Sequence, residues 1–422
     1  MNKKVLKRIF IGIIVVPILL LTIAITLVYY KQDEIVSELL TKLNKDFNAE
    51  IKVGDSHIAP FANFPYISID VDDLVIYESK SLQTEPMMQL KDIYVGFDLF
   101  KIIGGKVDIK SIKLENGFIH LKQDTLGNLN FVKAFETEQK AENVEEEFHL
   151  HLKSITLNNV DITHQNESNN LTTEAFINKA KTGFKTSNDH TMIDLETKLV
   201  VNLIKGTDTT FFKHKHITIN TKLDYFNKGN QLKIEPSEIE LEHAKFDFKG
   251  SIDLNGDMNA DVSIVGNKPN FDLFLAFAPE ELAPVLNQFE NKGTIYFKAD
   301  IKGPLINKHL PFINVDFACE HAFLHNIKTD KKLDDLNFKA HFTNNGKKGL
   351  EPMEFSLMDF SSRPEAGKFT GYLKMKNFAA PEIDTKIVSD FDLDFLAKFL
   401  NVDGLKDLSG KVKLTLNFKD LI

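Results

Sequence analysis

The sequence predicts a mainly β protein of the α+β kind. One N-terminal transmembrane helix is followed by an elongated, repetitive, curved antiparallel β-sheet, groove-like, with a few short helices. Three observations carry that expectation. Ile9 to Val28, near the N-terminus, is a run without a single charge. Beyond residue 50 apolar residues recur with period 2 in segment after segment, the spacing of strands with one apolar and one wet face. Several of these segments resemble one another at fixed offsets, which is how a sheet that grows by repetition reads.

The helix comes first in the chain. Lys3, Lys4, Lys7 and Arg8 precede the uncharged run. Twenty residues at about 1.5 Å each span roughly 30 Å, the hydrocarbon thickness of a bilayer. Pro17 lies inside the run, where lipid-embedded helices tolerate it, and Tyr29 and Tyr30 stand at headgroup level. All the nearby cations lie on the N-terminal side, so the N-terminus is expected in the cytoplasm and the bulk of the chain beyond the membrane. A cleaved signal peptide needs a shorter core and small residues at its exit, whereas the exit here reads ITLVYYKQDE. Residues 1–30 therefore read as a cytoplasmic tip and an uncleaved anchor, with Ile9, Ile14, Leu20 and Val28 among its apolar residues. Next, Ile35, Val36, Leu39, Leu40, Leu43 and Phe47 fall at helical spacing, which predicts an amphipathic helix over 31–48, packed on the first strands or, as the lesser option, lying on the membrane surface.

From Ile51 the period becomes 2. Ile67, Ile69 and Val71 face one way and Ser68, Asp70 and Asp72 the other. In GTIYFKADIKG, Ile295, Phe297, Ala299 and Ile301 oppose Tyr296, Lys298 and Asp300; in KVKLTLNFKD, Val412, Leu414, Leu416 and Phe418 alternate with polar residues. Such alternation predicts antiparallel pairing, since parallel units need continuous apolar runs and a helix after each strand. Residues 49–135 form one β region. ETEQKAENVEEE, 136–147, carries six Glu and reads as an acidic linker or loop.

Residues 148–422 form a second β region with two related units. KFDFKGSIDLN at 245–255 resembles KFTGYLKMKN at 368–377, and FDLFLAF at 271 resembles FDLDFLAKFL at 391, an offset of 120 residues. Each leads into a Gly-initiated strand, at Gly293 and Gly410. A shorter echo pairs KSIKLENGFIHL (110–121) with KSITLNNVDITH (153–164).

The formal net charge is −9, and because the first eight residues contribute +4 the remainder carries −13. That argues against nucleic acid as a partner. A lone cysteine, Cys319, excludes an intrachain disulfide framework and reads as a small buried hydrophobe. With 35 Phe and no Trp, something apolar is built largely from Phe. The helical candidates, 33–47, 128–136, 172–180, 280–289 and 393–400, are too few and short to cover the sheet. Two solutions stay open: a sandwich with a packed core, or a trough whose lining meets an acyl chain. Residues placed to line such a trough are Ile67, Ile69, Val71, Phe246, Phe248, Ile295, Phe297, Ile301, Val412, Leu414, Leu416 and Phe418.

No phosphate-binding loop, dinucleotide fingerprint, serine-hydrolase elbow or zinc-protease motif occurs. Most carboxylates fall on the wet side of strands, where water leaves them unspecialised. We therefore expect no catalytic residue, cofactor or metal. The pairs His149/His151 and His214/His216 read as exposed strand histidines, and His321 and His325 have helical spacing without a third ligand.

KVGDSHIAPFANFPYISIDVDDLVIYES, from Lys52, and LKDIYVGFDLFKIIGGKVDIKSIKLENGFIHLKQDTLGNLNF, from Leu90, resemble the opening of the AsmA-like family of bacterial envelope proteins. The later strands GTIYFKADIKG and SGKVKLTLNF look like that family's repeating sheet. The resemblance implies an inner-membrane anchor, a periplasmic β-groove, and membrane phospholipids as partners. It implies phospholipid transport between inner and outer membranes or outer-membrane homeostasis. The alternative is a non-enzymatic envelope scaffold holding protein partners. Relatives of this kind are often longer, so the resemblance implies a short member or a piece of a longer chain.

Overall fold

The computed structural model describes residues 3–80, 85–98, 101, 108–136, 149–168, 170–187, 189–206, 208–209, 212–256, 258–268, 271–276, 287–305, 310–365, 367–401 and 408–421. The side chains of 3–21, 24, 27, 149–150, 208–209, 267–268, 274 and 421 lie outside that description, as does most of the acidic stretch 136–147. The chain divides into two compact units, one chiefly of residues 1–185 and one chiefly of residues 209–422. Both are mainly β.

The first unit opens with α1 (Lys3–Asp46), one helix of 44 residues. The expected boundary at residue 30 is absent, because YYKQDE contains no Gly or Pro to stop a helix. No helix among the described residues is long and apolar enough to cross a membrane; the side chains of Ile9, Ile14 and Leu20 lie outside the described residues. Val28 is wholly buried, clustered with Ile35, Ile67, Ile69 and Phe97. Further along the helix, Leu40 and Leu43 pack on Ile51, Ile76 and Ile93, as the helical spacing over 31–48 predicts.

Beneath α1, β1 (Glu50–Lys52) and β2 (Ser56–Ile58) pair with the two ends of β3 (Ile67–Tyr77). Antiparallel β4 (Met88–Phe97) and β5 (Asp108–Gln123) follow. The next strand, β6 (His149–Asn166), runs parallel to β5, and β7 (Leu171–Ser187) returns antiparallel. The parallel pair corrects the all-antiparallel expectation. The stretch between Gln123 and His149, which includes α2 (Asn130–Ala134), supplies the length that a parallel crossover needs. The helix expected over 172–180 is also corrected: these residues lie within β7. Residue-by-residue pairing with β6 satisfies the backbone along the whole segment. β8 (His190–Lys205) and β9 (Asp208–Thr209) are divided between the two units.

The pairing of β5 with β6 explains the shorter repeat. Ser111 lies beside Ser154, Ile112 beside Ile155 and Leu114 beside Leu157, so each residue meets its counterpart 43 positions on. Side chains bond across the same offset: Asn158 Nδ2 donates to Glu115 at 2.6 Å and Asn166 Nδ2 to Gln123 at 2.6 Å. Asn116 and Asn159 share a left-handed backbone, with φ of 58° and 52°, a conformation Asn tolerates better than most residues. The wet face expected on β3 is corrected as well. Ser68 and Asp70 are 0% and 4% exposed, because the turn around Asn63 and Tyr66 lies over them. Burial raises the Asp70 carboxyl above its ordinary range, with His57 pulling it down.

The second unit is a meander in which each strand pairs antiparallel with the next. It comprises β10 (Lys215–Phe226), β11 (Gln231–Leu241), β12 (Ala244–Asp253), β13 (Asn259–Lys268), β14 (Phe289–Pro304), β15 (Phe312–Asn326), β16 (Lys331–Thr343), β17 (Glu354–Pro364), β18 (Lys368–Lys376), β19 (Glu382–Asp392) and β20 (Lys411–Leu421). The long repeat is visible in it. Strands β12 and β13, helix α3 (Asp272–Leu275) and β14 match β18 and β19, helix α4 (Leu393–Leu400) and β20. Helix α4 covers 393–400 as predicted; it is capped by Asp392, which accepts from Asp394 N, and buries Phe395 and Phe399. Of the helix expected over 280–289, positions 280–286 lie outside the described residues and Phe289 begins a strand. His321 and His325 sit in β15 rather than on a helix. His321 is a bulge residue with φ of 49°, at the register shift between Cys319 and Ala322.

One ion cluster locks the first unit. Asp108, at the start of β5, is 1% exposed. It accepts hydrogen bonds from Lys101 and from Lys110 at 2.8 Å, and His151 Nδ1 stands 3.2 Å away. Burial pushes its carboxyl up, but the hydrogen bonds from Lys101, Lys110 and His151 overcome burial and hold it at about 2. A pKa lowered on folding stabilises the fold above the unfolded value of 3.8 and is lost as pH falls toward 2. Asp108→Asn should therefore lower stability at pH 7 by about 2 kcal/mol. Denaturant titrations should show that deficit shrinking between pH 4 and 2; a deficit constant with pH would refute the assignment.

Candidate functional site

The eleven strands of the second unit set their apolar residues in register on one face. Rungs run strand to strand: Ile264 beside Ala299 beside Val315 beside Phe342 beside Phe355. The opposite face is charged and self-paired, through Lys298 with Asp300 at 2.8 Å, His341 with Asp316 at 2.7 Å and Lys376 with Glu354 at 3.8 Å. Lys298 holds the Asp300 carboxyl below its ordinary range despite partial burial.

The apolar face is covered at one end and open at the other. Around α3, Phe271 and Leu273 close over Phe246, Ile295 and Cys319, all 3% exposed or less. Leu273 fits there because Gly266 has no side chain: a Cβ would come within 2.9 Å of Leu273 Cδ2 and 3.0 Å of Phe246. Burial raises the Cys319 thiol to about 12, which leaves it protonated and inert. Helix α4 covers a second patch, its Phe399 set 5.0 Å from the Phe289 ring. Across β17 to β20 none of the described residues covers the face. Here lies a cleft of about 630 Å³, lined by Leu357, Phe360, Leu373, Ile383, Ile387, Leu416 and Phe418 together with Thr370, Gly371, Tyr372 and Thr385. Its floor is two rungs, Leu357–Leu373–Thr385–Phe418 and Phe360–Gly371–Ile387–Leu416. Among the described residues no charged side chain lines it, and its volume is in the range of small-molecule sites, roughly 300–1,000 Å³.

The structure thus divides the sequence-derived lining residues. Ile67, Ile69 and Val71 are sealed beneath α1 in the first unit, and Phe246 and Ile295 beneath α3. These five are packed core. Phe248, Phe297, Ile301 and Val412 are half-buried on the second unit's apolar face, and Leu414, Leu416 and Phe418 are 45%, 41% and 37% exposed. Sequence reasoning missed Leu357, Phe360, Leu373, Ile383 and Ile387. Alternation in KFTGYLKMK and EIDTKIVSD was the available signal, obscured because Thr385 and Gly371 occupy apolar-face positions.

The histidines are partnered. His151 meets Asp108, His216 meets Glu242 at 3.4 Å, His321 meets Asp335 at 3.0 Å and His325 meets Asp330 at 2.9 Å. His214 precedes β10 with φ of 50°, so it does not share a strand face with His216. Comparison of the chain with models of protein families, with curated proteins and with solved structures finds no match.

Charges placed at the two ends of the face should differ sharply in effect. Ile295→Asp buries a carboxylate among Phe246, Leu273 and Cys319 and should cost about 4 kcal/mol or more. Leu416→Asp stays hydrated and should cost less than about 1 kcal/mol. Equal losses in chemical denaturation would mean that the cleft is closed in solution.

Proposed function

We propose that this chain is a membrane-anchored, non-enzymatic lipid-binding protein of the cell envelope, in which the open apolar face of the second unit receives acyl chains. The observation that carries this reading is the uncharged cleft over β17 to β20, which the described residues leave uncovered on an otherwise regular sheet. A protein in water rarely leaves a contiguous apolar surface without a partner. Each methylene that enters such a surface is worth about 0.8 kcal/mol, so an acyl chain has a large driving force. With no Lys or Arg among the described residues that line the cleft, binding is expected to tolerate different headgroups.

The uncharged run within α1 supports anchoring. Positive charge ahead of the run supports a cytoplasmic N-terminus with the β units in the periplasm. Likeness of the Lys52 and Leu90 segments to AsmA-like proteins supports the inner membrane as the site of anchoring. It also supports phospholipid transport or outer-membrane homeostasis as the role. A second reading, an envelope scaffold, draws on the exposed Leu414, Leu416 and Phe418 of β20, which equally suit a protein partner.

Photo-crosslinking in membranes separates the two. p-Benzoylphenylalanine introduced at Leu416 of the full chain should give phospholipid adducts by mass spectrometry, and at Lys386, on the charged face, none. Protein adducts alone at Leu416 would favour the scaffold. In the same membranes the chain should resist extraction with alkaline carbonate; its release would sink the anchor.

A further inference from the structure

On the first unit's sheet, the face turned away from α1 gathers carboxylates in adjacent rungs. Asp70 pairs across to His57 on β2 and Tyr94 on β4, and Asp72 pairs across to Asp92. His57 bridges the first two acids: its Nε2 is 3.2 Å from Asp70 Oδ2 and its Nδ1 3.8 Å from Asp72 Oδ2. One donor atom from each of the three residues lies within 4.8 Å of the other two, and among the described residues no other such group of three occurs. Lys113, on the same rung beyond Tyr94, is committed elsewhere. It pairs with Glu115 at 2.8 Å and sits over the Tyr94 ring at 4.6 Å. A buried carboxylate beside two others is costly unless a cation answers it, and an imidazole 58% exposed answers it poorly.

A second observation points to the same place. Among the described residues, Asp70 Oδ1, Ser68 Oγ and Ser111 Oγ are buried without a hydrogen-bond partner, in residues 4%, 0% and 2% exposed. Ser68 and Ser111 share one rung across Gly96, next to the Asp70 rung. The turn over them is held down by Asn63 Nδ2, which donates to Tyr94 O at 3.0 Å. A Cβ at position 96 would come within 3.2 Å of both Asn63 and Tyr66. Unpaired buried oxygens are rare enough to need a reason. Here one belongs to the acidic cluster and two lie on the rung next to it.

We infer that His57, Asp70 and Asp72 form a site for a divalent transition-metal ion of the Zn²⁺ class. One imidazole with two carboxylates is a donor set for Zn²⁺ or its neighbours, whereas Ca²⁺ and Mg²⁺ prefer oxygen alone. Bonds of about 2.0 Å at tetrahedral angles put donor atoms roughly 3.3 Å apart. The His57 Nε2–Asp70 Oδ2 separation of 3.2 Å already meets that spacing, and Asp72, with a donor within 4.8 Å of the other two, closes on the pair by up to about 1.5 Å through its side-chain torsions. Asp70 supplies the fixed, buried ligand, while His57 and Asp72 reach it from the solvent side.

Isothermal titration of the full chain in detergent micelles with ZnCl₂ tests the site, with the melting temperature followed in parallel. The expected result is one equivalent bound at about micromolar Kd or tighter, and a higher melting temperature with Zn²⁺. His57→Ala and Asp72→Asn, both at accessible positions, should each weaken binding about tenfold or more and abolish the thermal shift. His321→Ala, at an unrelated histidine, should leave both intact. Asp70→Asn is the sharper change but carries a folding risk, which the melting temperature in chelator reports. Absence of stoichiometric binding, or affinity unchanged in both accessible variants, would overturn the inference. Ca²⁺ binding as tightly as Zn²⁺ would overturn the metal class.

Discussion

An antiparallel strand with strict alternation has two unlike sides, and eleven of them paired in register accumulate those sides into two unlike surfaces. That geometric constraint governs the second unit. Hydrogen bonding fixes which residues lie side by side, so Phe297, Phe317 and Leu357 cannot turn to the charged face without breaking the ladder. The apolar surface that results must be answered by something. Two short helices answer it in part: α3 through Phe271 and Leu273, and α4 through Phe395 and Phe399. Over β17 to β20 the chain offers no such cover among the described residues, and the cleft follows from that shortage of helix.

The first unit meets the same constraint with a different supply. Helix α1 is long enough to lay Ile35, Leu40 and Leu43 along the sheet, so Ile67 and Ile69 are sealed while the chemically similar Leu416 and Phe418 remain in contact with solvent. Side chains of equal hydrophobicity thus end as core in one place and as accessible surface in another. Which outcome a strand residue meets depends on a helix elsewhere in the chain, not on the strand's own pattern.

This difference decides what was legible in the sequence. The mainly β class, the amphipathic end of α1, the helix at 393–400 and the 120-residue repeat are local or near-local patterns, and each is in the structure. Periodicity carries the distinction between the two faces of β14 but says nothing about their cover, so the lining residues separated into sealed and open sets only in three dimensions. The parallel pairing of β5 with β6 stayed hidden because alternation is the same in either direction. Likewise Asp70 and Asp72 read as ordinary wet-face acids: their partner His57 lies on a three-residue strand whose register no pattern announces. The helix expected at 172–180 gave way to pairing with β6 along the whole segment.

The in-register match of residues 110–121 with residues 153–164 has a consequence for how such a chain changes length. A copied stretch of sequence usually arrives as a foreign insertion whose surfaces have no partners. Here the copy lies flat against its original: the amide–carboxylate bond between Asn158 and Glu115 replaces any need for a tailored neighbour. Apolar positions fall on the side already apolar, and the left-handed Asn recurs where the kink recurs. Two stretches alike in this way can pair without a surface tailored between them. The width of the sheet becomes a trait that selection can adjust in whole strands.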